Sequence, residues 1–262
     1  MANAPAASQA LAVLRLLARH SEPVPASAIA RDLELPRSSV YHLLTVLREQ
    51  GFVVHLADER RYGLGVAAFE LGSAYTRQAP LQRLARQPLA RLVDATRHNA
   101  HLAVLHGRDV LYVIEERAPG RPPLVTDVGV RLPSQLTASG LAMLASLPPQ
   151  QVRALFPSRD AFVRRYAGRG PTSLPGLRAV LSRVRRDGFA LEEGTVTPDF
   201  ASVAAPVLDH VGHPVAGIAV TYPAGEVTLD QRRALAGEVI RTASELTRRI
   251  GGSGGGSGGS EG

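Results

Sequence analysis

The sequence predicts an α+β chain in two domains, and three observations carry that prediction. Residues 25–51, PASAIARDLELPRSSVYHLLTVLREQG, have the apolar spacing of two helices joined by a tight turn. Alternating apolar and polar residues then mark paired strands, first at 52–64 and again between Ala100 and Tyr222. Helical segments precede, interrupt and follow that second set of strands. Helix, strands, helices, strands, helix is the order of an antiparallel sheet covered by helices.

Taken in order, the first helix starts after Ser8, a residue suited to cap a helix N-terminus, and turns Leu11, Leu14 and Leu17 inward. Ser21-Glu22-Pro23-Val24-Pro25 breaks it. The second helix covers about Ala26 to Leu33, with Ile29 and Leu33 one turn apart. Glu34-Leu35-Pro36 is the turn, and Pro36 both stops the incoming helix and suits the first turn of the next. The third helix runs from about Arg37 to Gln50, with Val40, Leu43, Leu44 and Leu47 at i, i+3, i+4 and i+7, a buried stripe. Gly51 closes it where a left-handed residue is usual. Phe52 to Leu56 and Tyr62 to Leu64 then read as strands flanking the charged turn Asp58-Glu59-Arg60-Arg61. A short hairpin directly after the second helix of a helix-turn-helix is a wing, so residues 8–64 are expected to form a winged helix-turn-helix.

The face of the third helix opposite its buried stripe carries Arg37, Ser38, Ser39, Tyr41, His42, Thr45 and Arg48, all hydrogen-bonding types. Any solvated helix is polar on one face. An Arg-bearing face on the helix that precedes a wing is what double-stranded DNA recognition needs. Arg forks onto a guanine edge, and Ser, Thr, Tyr and His reach bases or phosphates. Arg37, Ser38, Ser39, Tyr41, His42 and Thr45 are the expected sequence readers. Arg60 and Arg61 in the wing are expected to hold phosphate or the minor groove.

Val66 to Arg77 is a helical connector within a linker at 65–79, and Gln78-Ala79-Pro80 ends the first domain. The second, 80–250, opens with a helix from about Leu81 to Arg97, with Pro88 expected to kink it. Ala100 to Leu105 and Val110 to Ile114 flank His106-Gly107-Arg108-Asp109 as a hairpin. A further strand is expected around Leu124 to Val128, followed by a loop at Gly129 to Pro133. Thr137 to Ser146 is a helix of small residues, Pro148-Pro149 opens a short one, and Leu177 to Val184 lie on a longer helix ended by Gly188. Strands recur at Ser202 to Leu208 and Val215 to Tyr222. Thr228-x-x-Gln231 is a capping box for a last helix that buries Leu235, Val239, Leu246 and Ile250. Residues 251–262, GGSGGGSGGSEG, form a flexible tail outside the fold.

Composition narrows the function. The 262 residues exceed one winged helix, and 45% hydrophobic content supplies a second core. Net charge is +7 and all 30 basic residues are Arg, a usage that reflects a GC-rich genome and also suits a polyanionic partner. Cys is absent, which excludes disulfides and thiolate metal sites and fits a reducing cytoplasm. No signal-peptide pattern opens the chain and no apolar run approaches a membrane span, so a cytoplasmic protein without a membrane partner is expected. There is no nucleophile elbow, Ser-x-x-Lys pair, phosphate-binding loop or Cys nucleophile, and no enzyme or cofactor is expected. His98, His101, His106, His210 and His213 have no ligand-like spacing. His101 and His106 would face opposite ways on one strand, and no metal is expected.

Several motifs in this order resemble the IclR family of bacterial transcription regulators. They are Leu35-Pro36-Arg37-Ser38-Ser39-Val40-Tyr41-His42-Leu43-Leu44, Gly51-Phe52-Val53, Tyr62-x-Leu64-Gly65 and Leu71-Gly72. In the second domain they are Leu102-Ala103-Val104-Leu105, Pro133-x-x-x-Thr137-Ala138-x-Gly140, Gly188-Phe189 and Ser202-x-Ala204-Ala205-Pro206-Val207. The resemblance covers Ser8 to Ile250. It implies a homodimer or homotetramer on an operator, with a GAF-like second domain that binds a small-molecule effector, commonly an organic or aromatic acid. It places effector contacts on Ala138, Ser139, Glu192, Ser202, Ala219 and Thr221. This chain departs from the family pattern at Gln135, where many members have His, and at Leu141, where Lys is common. It departs again at His42, a frequent Arg, and at Glu34, in a turn position that favours Gly.

The residues alone make the same cluster plausible. Thr137 or Ser139 caps a helix whose first N–H groups, with Gly140, suit an anion. Ala219 and Thr221 share a strand face with period two, and with Ser202 they leave room on it. Glu192 can accept from a ligand hydroxyl, although at least one of Glu192 and Glu193 is expected in an exposed loop. The alternative is a constitutive DNA-binding protein whose second domain serves only oligomerisation.

Overall fold

The computed structural model describes residues 4–78, 80–121, 124–166 and 169–251. By its internal contacts the chain divides into two units, Met1–Ala79 and Pro80–Gly262.

The first unit contains α1 (Pro5–Leu17), β1 (Val24–Pro25), α2 (Ala26–Asp32), α3 (Arg37–Glu49), β2 (Val53–Leu56), β3 (Arg61–Leu64) and α4 (Val66–Gln78). Its core joins Val13 and Leu17 of α1, Ile29 and Ala30 of α2, the α3 stripe of Val40, Leu43, Leu44 and Leu47, and Val53. Each fully buried aliphatic side chain contributes roughly 1.5–3 kcal/mol, so the stripe is what seats α3. Three expectations are corrected here. Leu11, expected inward, is 53% exposed, and Val13 takes the buried place on α1 instead. Ser8 lies inside α1 and donates its N–H to Ala4 O at 3.0 Å, because Pro5 starts the helix three residues earlier and has no N–H to lose. Val24-Pro25 does more than break the chain: it pairs with Tyr62 and Arg61 of β3, making the wing a three-stranded sheet in the order β1-β3-β2. Gly51, at φ 73°, turns the chain from α3 into β2. Gly65 fits its place because an added Cβ would stand 2.3 Å from Gly51 O.

The second unit contains α5 (Pro80–Thr96), β4 (Asn99–His106), β5 (Asp109–Glu116), β6 (Arg131–Pro133), α6 (Ala138–Ser146), α7 (Pro149–Leu155), α8 (Leu174–Asp187), β7 (Ala190–Glu193), β8 (Phe200–Leu208), β9 (Pro214–Pro223) and α9 (Leu229–Arg249). The strands form one antiparallel sheet, β6-β5-β4-β9-β8-β7. One face, with Leu102, Val203, Val207, Ile218 and Val220, packs on Leu89 and Leu92 of α5 and on Val239 and Leu246 of α9. The other, with Ala190, Ala204 and Ala219, packs on Leu141 and Ala142 of α6 and on Leu177 and Leu181 of α8. The capping box forms at α9, where Thr228 Oγ1 accepts from Gln231 N and Gln231 Oε1 from Thr228 N.

The sheet corrects two further expectations. Residues 124–128 form bends and a turn rather than a strand, and the edge strand is Arg131–Pro133, placed in the expected loop. It pairs with Asp109 to Leu111. Only three residues long, it carries no readable alternation. Pro88 lies within α5 and the helix continues through it. The expected tail, 252–262, and Ala79 of the domain break lie outside the described residues.

Small residues let α6 lie close on the sheet. A Cβ on Gly217 would stand 2.9 Å from Ser139 O and 3.1 Å from Ser139 Cβ. Gly217→Ala is therefore expected to lift α6 and destabilise the second unit by about 1–3 kcal/mol. Gly225→Ala, with open space around the new Cβ, should change stability by no more than about 0.5 kcal/mol. Calorimetric unfolding of the two variants checks this, and equal melting would refute the tight seating of α6.

Candidate nucleic-acid interface and ligand cavity

The turn before α3 is made by Glu34 at φ 54° and by Leu35, whose N–H donates to Ala30 O at 3.0 Å. A left-handed non-glycine residue costs about 1–2 kcal/mol, and the buried α3 stripe offsets it. On the outer face Arg37, Ser38, Tyr41, His42, Thr45 and Arg48 are exposed and Ser39 is half-buried. Thr45 Oγ1 donates to Tyr41 O at 2.9 Å, which leaves it lone pairs and a methyl group to present. Arg37 makes no ion pair among the described residues. The two wing arginines differ. Arg60 is exposed in the turn at φ 53°. Arg61 lies on β3, where its guanidinium donates to Pro23 O at 3.1 Å and stands 3.9 Å from Glu22, so it also ties the wing to the strand before it. His55 and Tyr62 stack across β2 and β3 at 4.5 Å.

In the second unit a cavity opens on the α6 face of the sheet. Thr137, Ala138 and Ser139 line it from the start of α6, Glu192 from β7, Ser202 from β8, and Ala219 and Thr221 from β9. Gly140 is not among its lining. An added Cβ there would stand 2.1 Å from Ser134 O, so Gly140 serves the close fit of α6 and donates its N–H to Thr137 Oγ1 at 3.0 Å. Ser202 and Thr221 are register partners and their hydroxyls are 2.9 Å apart. Ser139 Oγ is buried with no hydrogen-bond partner of good geometry, a cost that a ligand acceptor or donor would remove. The free volume within it is about 20 Å³, room for about one water, and its wall reaches the surface at the exposed Val125.

Eight lining residues were not anticipated as ligand contacts, and the polar ones on the β4 and β5 side are His101, Tyr112 and Thr126. Leu102 pairs with Ile114 but Ala103 with Tyr112, which leaves Val113 as an extra residue in β5. That bulge puts Tyr112 and Glu115 on the same face although they are three residues apart. No local signal in β5 announces it. His101 Nε2 lies 2.8 Å from Thr126 Oγ1.

The electrostatics are those of largely buried polar groups. Both glutamates lie on β7 rather than in a loop; Glu193 is the exposed one, held by Arg232 at 2.5 Å, and Glu192 is 5% exposed. Burial pushes the Glu192 carboxyl up, while Thr195 N at 2.6 Å and Val196 N at 3.2 Å, donating to Oε1, work against the rise. Burial, with the Glu192 charge, pushes the Tyr112 phenol up, against the hydroxyls of Ser139 and Thr137. Among the described residues no His, Asp and Glu side chains are grouped as a metal site, and no helix is long and apolar enough to cross a membrane.

A winged helix with an outward Arg-bearing helix, followed by an α+β unit with an interior polar cavity, defines a DNA-binding regulator with a second folded domain. The chain belongs to the IclR family. Residues 6–57 match the IclR helix-turn-helix domain, and residues 73–248 match the bacterial transcriptional regulator IclR C-terminal domain. It is 28% identical to the HTH-type transcriptional regulator BhcR of Paracoccus denitrificans over 92% of this chain and 86% of that one. It is 25% identical to the transcriptional repressor IclR of Escherichia coli over 96% and 94%. A crystal structure of a family member from a Silicibacter species superposes with a TM-score of 0.82 at 26% identity, over 95% of this chain and 97% of that one. An IclR homologue from Microbacterium hydrocarbonoxydans, complexed with 4-hydroxybenzoate, shares the fold at 21% identity with a TM-score of 0.77, over 93% and 99%. These relatives are transcriptional regulators rather than enzymes.

Glu192 sets a pH dependence whose sign follows from burial. In the unfolded chain it titrates near 4.5 and in the folded chain higher, so between the two values the folded state holds more protons. Its contribution is therefore lost as pH rises through the folded value. Glu192→Gln keeps an acceptor for Thr195 and Val196. The variant should melt higher than the parent at about pH 7.5, with the gap closing toward pH 4. Thermal unfolding across this range tests it, and a gap that widens on acidification would refute it.

Proposed function

We propose that the protein is a sequence-specific transcriptional regulator whose operator affinity is modulated by a small organic or aromatic acid bound in the second unit's cavity. The polar cavity lined from α6 and five strands, with the buried Ser139 hydroxyl on its wall lacking a hydrogen bond of good geometry, is the observation that carries this reading. The first N–H groups of α6 have no acceptor within the helix and suit a carboxylate. Thr137, Ser202 and Thr221 supply hydroxyls, and Ala138 and Ala219 leave the walls low. With room for about one water, the cavity must open to admit a ligand. That opening is the differential interaction by which a ligand shifts an equilibrium between two states.

On the DNA side, Arg37, Ser38, Ser39, Tyr41, His42 and Thr45 are assigned to base reading and Arg60, with Arg61, to the backbone. A homodimer on inverted half-sites about one helical turn apart fits a small reading head. The exposed Leu11 of α1 and Val66, Phe69 and Leu71 of α4, the last three each more than 60% exposed, offer apolar surface for pairing. Sizing the protein alone and on DNA tests this, and a monomer protecting a single half-site would refute it.

Arg37→Ala should cost roughly 1–3 kcal/mol at the operator and relax preference at one base pair. Arg60→Ala should weaken all sequences alike and reduce the salt slope by about one. Titrations against operator variants decide, and identical behaviour of the two would overturn the division. A thermal-shift screen of organic and aromatic acids, with stabilising compounds carried into operator binding, tests the sensor. Ligand and operator should change each other's affinity by one factor. A broad screen without a stabilising compound would leave a constitutive DNA-binding protein as the better account.

A further inference from the structure

An acid entering the cavity meets no fixed cation. No arginine lines it and the chain has no lysine. On the β4 side it meets His101, which is fully buried and whose Nδ1 has no hydrogen-bond partner. Behind His101, Glu115 is 3% exposed, and its Oε1, also without a hydrogen-bond partner, lies 3.7 Å from His101 Nε2. Two buried polar atoms on either side of one imidazole are thus unsatisfied, a costly arrangement for each. One event resolves both: a second proton on the ring, with an anion at Nδ1.

We propose, resting on the reading of this cavity as an effector site, that His101 is its inducible cation. With a ligand carboxylate in place the ring carries a proton on each nitrogen, the second taken from solvent: Nδ1–H donates to the carboxylate, and Nε2–H turns toward Glu115. Effector binding then carries one proton with it.

The surroundings of His101 support the assignment. From β5, Glu115 faces it as a standing carboxylate. Burial works to raise this acid, but the nearby His101 and the hydrogen-bonded Arg117 bring it down to about 2. Arg117 sits outside it at 2.7 Å and is shared with Asp127 at 3.5 Å. The Tyr112 ring meets His101 edge-on at 5.7 Å, with its phenol kept neutral by burial. The 124–126 segment contributes Thr126, and β9 contributes Ala219, the register partner of His101. From β7, Glu192 lines the same cavity and is the rival proton acceptor, but its Oε1 is already held by Thr195 and Val196. The bulge at Val113 is what sets Glu115 behind His101 while Tyr112 stays at the cavity wall.

The probes are benzoate and 4-hydroxybenzoate, each beside its uncharged primary amide, on the full-length protein. Calorimetry in buffers of different ionisation enthalpy counts protons. The acids should bind with uptake of about one proton and weaken about tenfold per pH unit on the alkaline side, and the amides should bind with none. His101→Gln, whose amide can keep the Thr126 contact, should bind the acids at least about tenfold more weakly at pH 6.5 with a flat pH profile. Glu115→Gln removes the standing charge without touching the cavity wall. It should lower the uptake too, and carries the test if His101→Gln does not fold. Acid binding without proton uptake overturns the proposal. So does uptake that survives His101→Gln or is abolished only by Glu192→Gln. If the amides bind and the acids do not, His101 is not the cation but the cavity remains a ligand site. If neither binds, this proposal falls, and the effector reading falls with it when the broad screen is also silent.

Discussion

The close seating of α6 on β8 and β9 is the contact on which the second unit depends, because it builds one half of the core and one wall of the cavity together. Gly217 and the alanines at 204 and 219 hold the sheet surface low, and Gly140 lets the helix start against the backbone of Ser134. Once α6 is down, Leu141, Ala142 and Ala145 meet α8 and the sheet, and the Ser139 hydroxyl is shut away from water. The small side chains that permit the packing cannot also fill the space at the helix N-terminus. Core and cavity are two results of one choice of residue size.

That origin shapes how the cavity can respond. It has room for about one water and is walled by hydroxyls, one raised carboxyl and one carboxylate-backed imidazole, so its polar groups are partly unsatisfied at rest. A ligand that satisfies them gains more than its contact area alone would give, since it removes existing desolvation costs. A ligand larger than a water would also have to displace lining segments around Leu124 to Thr126 and at Val196 and Thr197, the parts of the wall that are not regular strand.

The first unit works on the opposite principle. Its reading helix is held by a continuous apolar stripe, its turn carries a strained Glu34, and its wing is tied through Arg61 to Pro23. Recognition of a regular duplex asks for side chains held at fixed spacing, and a rigid α3 provides that.

How much was legible beforehand follows from the range of the interactions. The α3 stripe, Pro36, Gly51 and the Thr228–Gln231 box act within one or two helical turns, so sequence by itself determined the helix-turn-helix, the last helix and the face shared by Ala219 and Thr221. It also misjudged a local signal at Ser8, where the competing start at Pro5 was stronger. The two-residue β1 and three-residue β6 have no period to read and exist only because β3 and β5 offer them hydrogen bonds. Tertiary structure alone decided the burial of Glu192 and the Val113 bulge that brings His101, Tyr112 and Glu115 to one face. Alternation along a strand states which residues share a side only while the register is unbroken, and where it breaks is settled by the partner strand.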